Sequence, residues 1–256
     1  MREILVIGVG AGDPEQVTMQ AVSALNRTDV FFVLDKGEVK QELVDLRSEI
    51  LRRYATSKQY RVVVGQDPER DRTTPAYVEA VDDWRRRRAD VIAELIAAEL
   101  GEDQVGAFLV WGDPSLYDST LAILDDITAR GELAFEVEVI PGISSVSTLA
   151  ARHRVGLNQV GRPIQITTGR RLAAEWPDGV DDVVVMLDAQ TAFSRHVDQD
   201  ADIYWGAYLG TPDELLISGP LHEVAPEIEK ARAEARERKG WIMDTYLLRR
   251  PGRPKS

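Results

Sequence analysis

What most constrains this chain is an alternation. Short runs rich in β-branched and aromatic residues recur along its length, with helical periodicity between most of them. The strand-like runs are residues 4–9, 30–34, 61–64, 105–111, 135–140, 164–168, 183–187, 203–208 and 241–248. Short β-rich runs alternating with amphipathic helical stretches predict an α/β fold. The clearest helix covers residues 78–100, where Val78, Val81, Ile92, Leu95, Ile96 and Leu100 stripe one face. A second charged helix is expected over residues 220–238. The tail from Arg249 to Ser256 has no apolar residue to bury and is expected to be free. No low-complexity linker divides the chain, so a domain boundary must be tight. It is expected just after the turn at residues 110–114, giving α/β domains of residues 1–114 and 115–256.

Composition excludes several classes. With 44% hydrophobic and 29% charged residues in 256, the chain is an ordinary globular protein. The apolar run at residues 4–9 is too short for a signal core or a membrane span, which points to the cytoplasm and no membrane partner. Cysteine is absent, so disulfides and thiolate chemistry are excluded. A net charge of −12 argues against a nucleic-acid partner, because neutralising phosphates needs a basic face. The dense basic run Arg85-Arg86-Arg87-Arg88 follows Asp82 and Asp83 in a helical pattern and reads as a solvated face. His153, His196 and His222 lack metal-ligand spacing, so no metal is expected.

Two turns share one design. Ile7-Gly8-Val9-Gly10-Ala11-Gly12-Asp13-Pro14 and Val110-Trp111-Gly112-Asp113-Pro114 each follow a strand and precede a helical stretch. Asp stands where an N-cap belongs and Pro where the first helical residue belongs. The glycines let a ligand approach the main chain. Each turn alone is equally a plain helix start. The first lacks the third glycine of a dinucleotide fingerprint, because Asp13 stands there, and only Asp35 is available for a ribose. A third loop, Ile140-Pro141-Gly142-Ile143-Ser144-Ser145, closes a strand and opens an apolar helix. Its two serines either bind a polar ligand group or simply cap the helix.

Taken in order, these segments resemble the tetrapyrrole methylase family. The matching pieces are residues 8–14, 108–117 and 139–145, Val183-Val184-Val185-Met186-Leu187, and Leu209-Gly210-Thr211 leading to Ile217-Ser218-Gly219-Pro220-Leu221. A narrower set resembles the family's deacetylating branch. It comprises Ile166-Thr167-Thr168-Gly169-Arg170-Arg171-Leu172, residues 202–208 and residues 240–249. One departure is Ala11, at a position often held by Pro.

The resemblance implies two α/β domains with the active site in the trough between them, and a homodimer. It implies S-adenosyl-L-methionine as methyl donor and a small-molecule tetrapyrrole as substrate, with C1 methylation of precorrin-5 and release of acetate. The cofactor pocket would be lined by Ala11, Trp111, Gly112, Asp113, Leu116, Tyr117, Ser144, Ser145, Met186, Leu187 and Leu209. Asp113 would meet the cofactor's polar end or cap its own helix. Substrate carboxylates would meet Arg170 and Arg171, with Arg152 and Lys36 as further anchors. Deacetylation needs a proton acceptor, for which Asp35 is the candidate and His153 its rival. Asp244 and Tyr246 belong to the narrower signature, in a catalytic or a structural role.

Overall fold

A computed structural model of the chain describes residues 1–35, 41–57, 59–68 and 77–251, without the side chains of residues 35, 41–43 and 77–81. The chain forms two compact units, one of Met1–Gly10 with Pro14–Ile143 and one of Ala11–Asp13 with Ser144–Ser256. Each carries its own five-stranded sheet.

The first unit contains β1 (Arg2–Gly8), β2 (Val30–Asp35), β3 (Arg61–Gln66), β4 (Val105–Val110) and β5 (Phe135–Ile140). They lie in the order β3-β2-β4-β1-β5, every pair parallel. The helices α1 (Met19–Arg27), α2 (Gln41–Tyr54), α3 (Tyr77–Glu99) and α4 (Thr120–Arg130) make the crossovers that parallel pairing requires. A sheet covered on both faces explains why β1 is continuously apolar from Ile4 to Ile7. Ile4 and Val6 pack with Phe32, Phe108, Ile92 and Ile96, whereas Leu5 and Ile7 pack with Leu25, Phe31 and Ile50. Each such side chain contributes about 1.5–3 kcal/mol on burial.

The first unit runs past residue 114, where the boundary was expected. β5 lies beside β1 in register from Arg2↔Phe135 to Ile7↔Ile140. A cut at residue 114 would strip β1 of that neighbour, so the first unit continues to Ile143.

The second unit contains β6 (Ile164–Thr168), β7 (Asp182–Met186), β8 (Asp202–Ala207), β9 (Leu215–Pro220) and β10 (Asp244–Arg249), in the order β6-β7-β10-β8-β9. Here β6 and β7 are parallel and the other pairings antiparallel. The last strand inserts at the centre of the sheet. Its helices are α5 (Ser145–His153), α6 (Gly169–Ala174) and α7 (Leu221–Lys239), and Trp205, Tyr208, Tyr246 and Phe193 fill the core. β9 escapes the sequence reading because Gly219 and Pro220 look like a turn. It is an edge strand, where a missing N–H is tolerated.

Arg249 and Arg250 are not a free tail. Arg249 Nε lies 2.5 Å from the fully buried Asp182, and Arg250 stacks 4.0 Å from the centre of the Trp176 ring. Residues 252–256 lie outside the described residues. No helix among the described residues is long and apolar enough to cross a membrane.

Candidate active site

In the first unit all strands run the same way, so β1, β4 and β5 deliver their closing turns to one edge of the sheet. Gly112 N donates to Gly10 O at 2.8 Å, Gly10 N to Gly112 O at 3.3 Å, and Val9 N to Val110 O at 2.9 Å. Gly10 (φ +86°) and Gly112 (φ +69°) occupy the left-handed region that favours glycine. A Cβ on Gly142 would collide with Gly112 O and with the backbone of Gly8. Main chain therefore packs on main chain across all three turns.

Asp113 fastens them. One carboxylate oxygen accepts Gly142 N–H at 2.9 Å, and the other accepts Ser115 N–H at 2.8 Å and the Ser115 hydroxyl. Burial acts to raise its pKa, but the bonds from the Ser115 hydroxyl and the two N–H groups outweigh it. The carboxyl is held below its ordinary value.

Neither Asp-Pro pair opens a helix directly, contrary to expectation. Pro14–Gln16 forms a single 3-10 turn, and α1 starts at Met19 with Thr18 accepting from Ala21 N at 3.1 Å. After Pro114 the chain turns until Thr120, whose N–H goes to Asp118 at 2.7 Å. In the second case the Asp113 carboxylate is divided between its own turn, at Ser115, and the neighbouring turn, at Gly142.

Trp111 is half-buried, and its indole N–H is sealed from solvent with no hydrogen-bond partner among the described residues. Buried indole N–H groups normally find an acceptor. Leu116 is half-buried. Tyr117 is exposed and holds φ +53°.

In the second unit, Ala11 is buried, and Gly12 sits so close to Leu209 O and Thr211 that a Cβ would clash. Gly210, at φ +78°, backs onto Asp13 N. The Leu209 side chain is buried, and Gly206 leaves room for it and for Leu149. Leu209 thus gives its side chain to the core and turns its carbonyl toward residues 11–13. Met186 ends β7 half-buried, and Leu187 after it is 65% exposed at φ +55°. A bulky residue in the left-handed region costs about 1–2 kcal/mol. Such strain gathers at working sites. Tyr117 and Leu187 both carry it, and so does Tyr208 (φ +50°), which sequence reasoning passed over. The Tyr208 hydroxyl donates to Trp241 O at 2.6 Å.

Both candidate serines are engaged within the protein. Ser144 caps α5 by accepting from Ser147 N at 3.2 Å, and Ser145 Oγ lies 3.2 Å from Thr245 Oγ1. What α5 offers a ligand is its first-turn N–H groups, which have no partner within the helix.

Asp244 and Tyr246 belong to a buried network. Asp244 accepts from Trp205 Nε1 and Arg232 Nε, each at 3.0 Å, and Arg232 also reaches Asp188 O at 2.5 Å. Asp188 accepts from the Tyr246 hydroxyl at 2.7 Å, Ala192 N at 2.6 Å and Gln190 N at 2.9 Å. Burial pushes the Asp244 carboxyl up despite Arg232. Burial and then Asp188 push the Tyr246 hydroxyl up, so it stays protonated. The network anchors the backbone directly after Leu187. The local partners of Asp188, Gln190 N and Ala192 N, make it look like a plain turn residue, and the partners that join it to the network, Tyr246 and Arg232, stand 58 and 44 residues away.

The remaining candidates divide. Asp35 ends β2, but its side chain lies outside the described residues, as does Lys36. His153 Nε2 lies 3.0 Å from Trp205 O, and its ring meets Tyr204 edge-on, so it is committed to packing. Arg152 is paired with Glu214 at 3.1 Å and lies 3.9 Å from Asp13. Arg170 and Arg171 are exposed on α6, directly after β6. Among the described residues no group of three His, Asp or Glu side chains is placed to hold a metal.

Residues 3–225 match the family model for tetrapyrrole (corrin/porphyrin) methylases. The chain is 52% identical to precorrin-6A synthase (deacetylating) of Sinorhizobium sp, over 98% of this chain and 96% of that protein. Its fold superposes on the crystal structure of a cobalamin synthesis related protein (CobF) from Corynebacterium diphtheriae. That match has a TM-score of 0.83, 39% identity, and coverage of 97% and 98% of the two chains. Uroporphyrin-III C-methyl transferase from Thermus thermophilus, solved in complex with S-adenyl homocysteine, shares the fold at a TM-score of 0.56 and 18% identity. There 96% of each chain is covered. With glycine-bearing turns closing a parallel sheet in one unit and a mixed sheet in the other, and with the family model spanning both, this chain belongs to the tetrapyrrole methylases.

Proposed function

We propose that the protein methylates precorrin-5 at C1 with S-adenosyl-L-methionine and releases acetate, giving precorrin-6A. The observation that carries this reading is the 52% identity, sustained over nearly the whole chain, to a protein named for that deacetylating reaction. The runs at residues 166–172, 202–208 and 240–249 support the same branch.

Two observations fit the chain to the methyl donor. The Trp111 indole N–H is a sealed donor awaiting an acceptor, and the turns at Gly10, Gly112 and Gly142 bring main chain together where side chains cannot intrude. The assigned residues are Trp111, Gly112, Asp113, Leu116 and Tyr117 in the first unit. Those in the second are Ala11, Ser144, Ser145, Met186, Leu187 and Leu209. Asp113 serves by holding the turns, and Ser144 and Ser145 serve through backbone N–H groups, since their side chains are engaged.

The donor supplies an already activated methyl group, so the chain needs no nucleophile. Its own residues bind, orient and exclude water. Arg170 and Arg171 take substrate carboxylates through paired N–H donors. Asp35 accepts the proton released when water adds to the acetyl carbonyl. The working species is a homodimer, which light scattering would check.

Incubation with precorrin-5 and S-adenosyl-L-methionine should yield S-adenosylhomocysteine, acetate and a methylated product in equal amounts. Methylation without acetate would move the reaction to another corrin position. Calorimetry showing tight binding of NAD and none of S-adenosyl-L-methionine would favour a nucleotide-binding regulator instead.

A further inference from the structure

Two arginines of the first unit are left over by the cofactor assignment. Arg47 lies on α2. Arg88 lies on α3, at the end of the basic run read as a solvated face. The run divides: Arg87 pairs with Asp83 at 2.9 Å on the surface, whereas the Arg88 side chain is only 11% exposed. Arg88 stands 5.0 Å from the centre of the Trp84 ring and donates to Ser119 Oγ at 3.1 Å. Its Nε comes within 3.1 Å of Asp67 Oδ1, yet the alignment is too poor for a hydrogen bond. Both atoms are sealed from solvent and unbonded among the described residues. Arg47 is half-buried, with its Nε also sealed and unbonded, and it forms no ion pair among the described residues.

Burial pulls the Arg47 guanidinium below its ordinary value. The charge of Asp118 opposes that pull, and the charge of Arg88 adds to it. Two neighbouring cations with unmet donors are costly, and an unmet buried donor calls for an explanation. Asp67 and Asp118 balance the charge without completing the hydrogen bonds. The groups also lie where a ligand would matter, because Asp118 and Ser119 directly follow Tyr117 on the turn assigned to the cofactor.

We propose that Arg47 and Arg88 form a carboxylate-binding subsite beside the Tyr117 turn, which seats one of the substrate's peripheral acid groups. A planar carboxylate matches the guanidinium fork and supplies the paired counter-charge that Arg47 lacks among the described residues. The inference rests on the proposed substrate class and adds a second anchor, distinct from Arg170 and Arg171.

The test uses the full chain and a polycarboxylate tetrapyrrole, uroporphyrin, titrated by porphyrin fluorescence, with a tetracationic porphyrin as control. Wild type should bind uroporphyrin and not the control. Arg47→Gln should bind it about tenfold or more weakly, the scale of one lost charge-assisted contact. Its affinity for S-adenosyl-L-methionine should stay unchanged, and its thermal midpoint should equal or exceed that of wild type, because a buried charge is removed. Arg47→Lys, which keeps the charge and loses the fork, should bind uroporphyrin several-fold more weakly than wild type, and it decides the matter if Arg47→Gln does not fold. Wild-type affinity in both variants, or no uroporphyrin binding by wild type, overturns the subsite. A lowered midpoint with intact affinity does the same, by making Arg47 structural. If wild type fails to methylate precorrin-5 while uroporphyrin binding still needs Arg47, the catalytic reading falls and the subsite stands.

Discussion

The Asp113 carboxylate receives three hydrogen bonds from two different turns. Asn at this position keeps the shape but turns half of the group into a donor, leaving one of those N–H or O–H groups without an acceptor. Asp113→Asn should therefore cost about 1–3 kcal/mol in urea denaturation. The sign with pH follows from the direction of the shift. The folded pKa lies below the ordinary 3.8, so the ionised carboxylate contributes fully above that value and its contribution fades as pH falls through the lower folded one. The gap between wild type and Asp113→Asn should narrow as pH drops below 3.8. A gap that persists in acid would mean the charge plays no part. At this scale the sequence named Asp113 but left its role open between cofactor ligand and cap. Its main distant partner, Gly142 N, is 29 residues away and comes near only when β4 and β5 flank β1.

Among elements, α7 is tied to β10 and to the end of β7 by Arg232, whose side chain is 9% exposed and that of its partner Asp244 4%. Arg232→Met preserves the apolar stem but leaves Asp244 with Trp205 alone. Removing one partner of a buried pair costs about 3–5 kcal/mol, which chemical denaturation should detect. A loss under about 1 kcal/mol would mean that water takes the place of the guanidinium. Strand and helix positions were largely legible, since strands buried on both faces read as short continuous apolar runs and the helices as apolar stripes at a period of 3.6. Helix starts were less so: Thr18 and Asp118 do the work assigned to Asp13 and Asp113. β9 was missed because an edge strand needs neither a full hydrogen-bond ladder nor strong alternation.

For the molecule as a whole, ligand linkage gives the prediction. S-adenosyl-L-methionine at one hundred times its dissociation constant should stabilise the fold by about 2.7 kcal/mol, read as a rise in thermal midpoint. Trp111→Phe, which deletes the sealed indole donor beside the Gly112 turn, should shrink that rise and leave the unliganded midpoint nearly unchanged. An equal rise in both proteins would take the Trp111 N–H out of cofactor binding. The residues alone determined the α/β class, the order of nearly every strand and helix, and the turns that mark the family, because these depend on local periodicity and on backbone conformations that few residues allow. Only the folded chain decided that β5 belongs beside β1, that β10 runs antiparallel between β7 and β8, and that Asp188, Asp244 and Arg232 meet. Those outcomes depend on contacts between residues far apart in sequence, and no nearby residue records them.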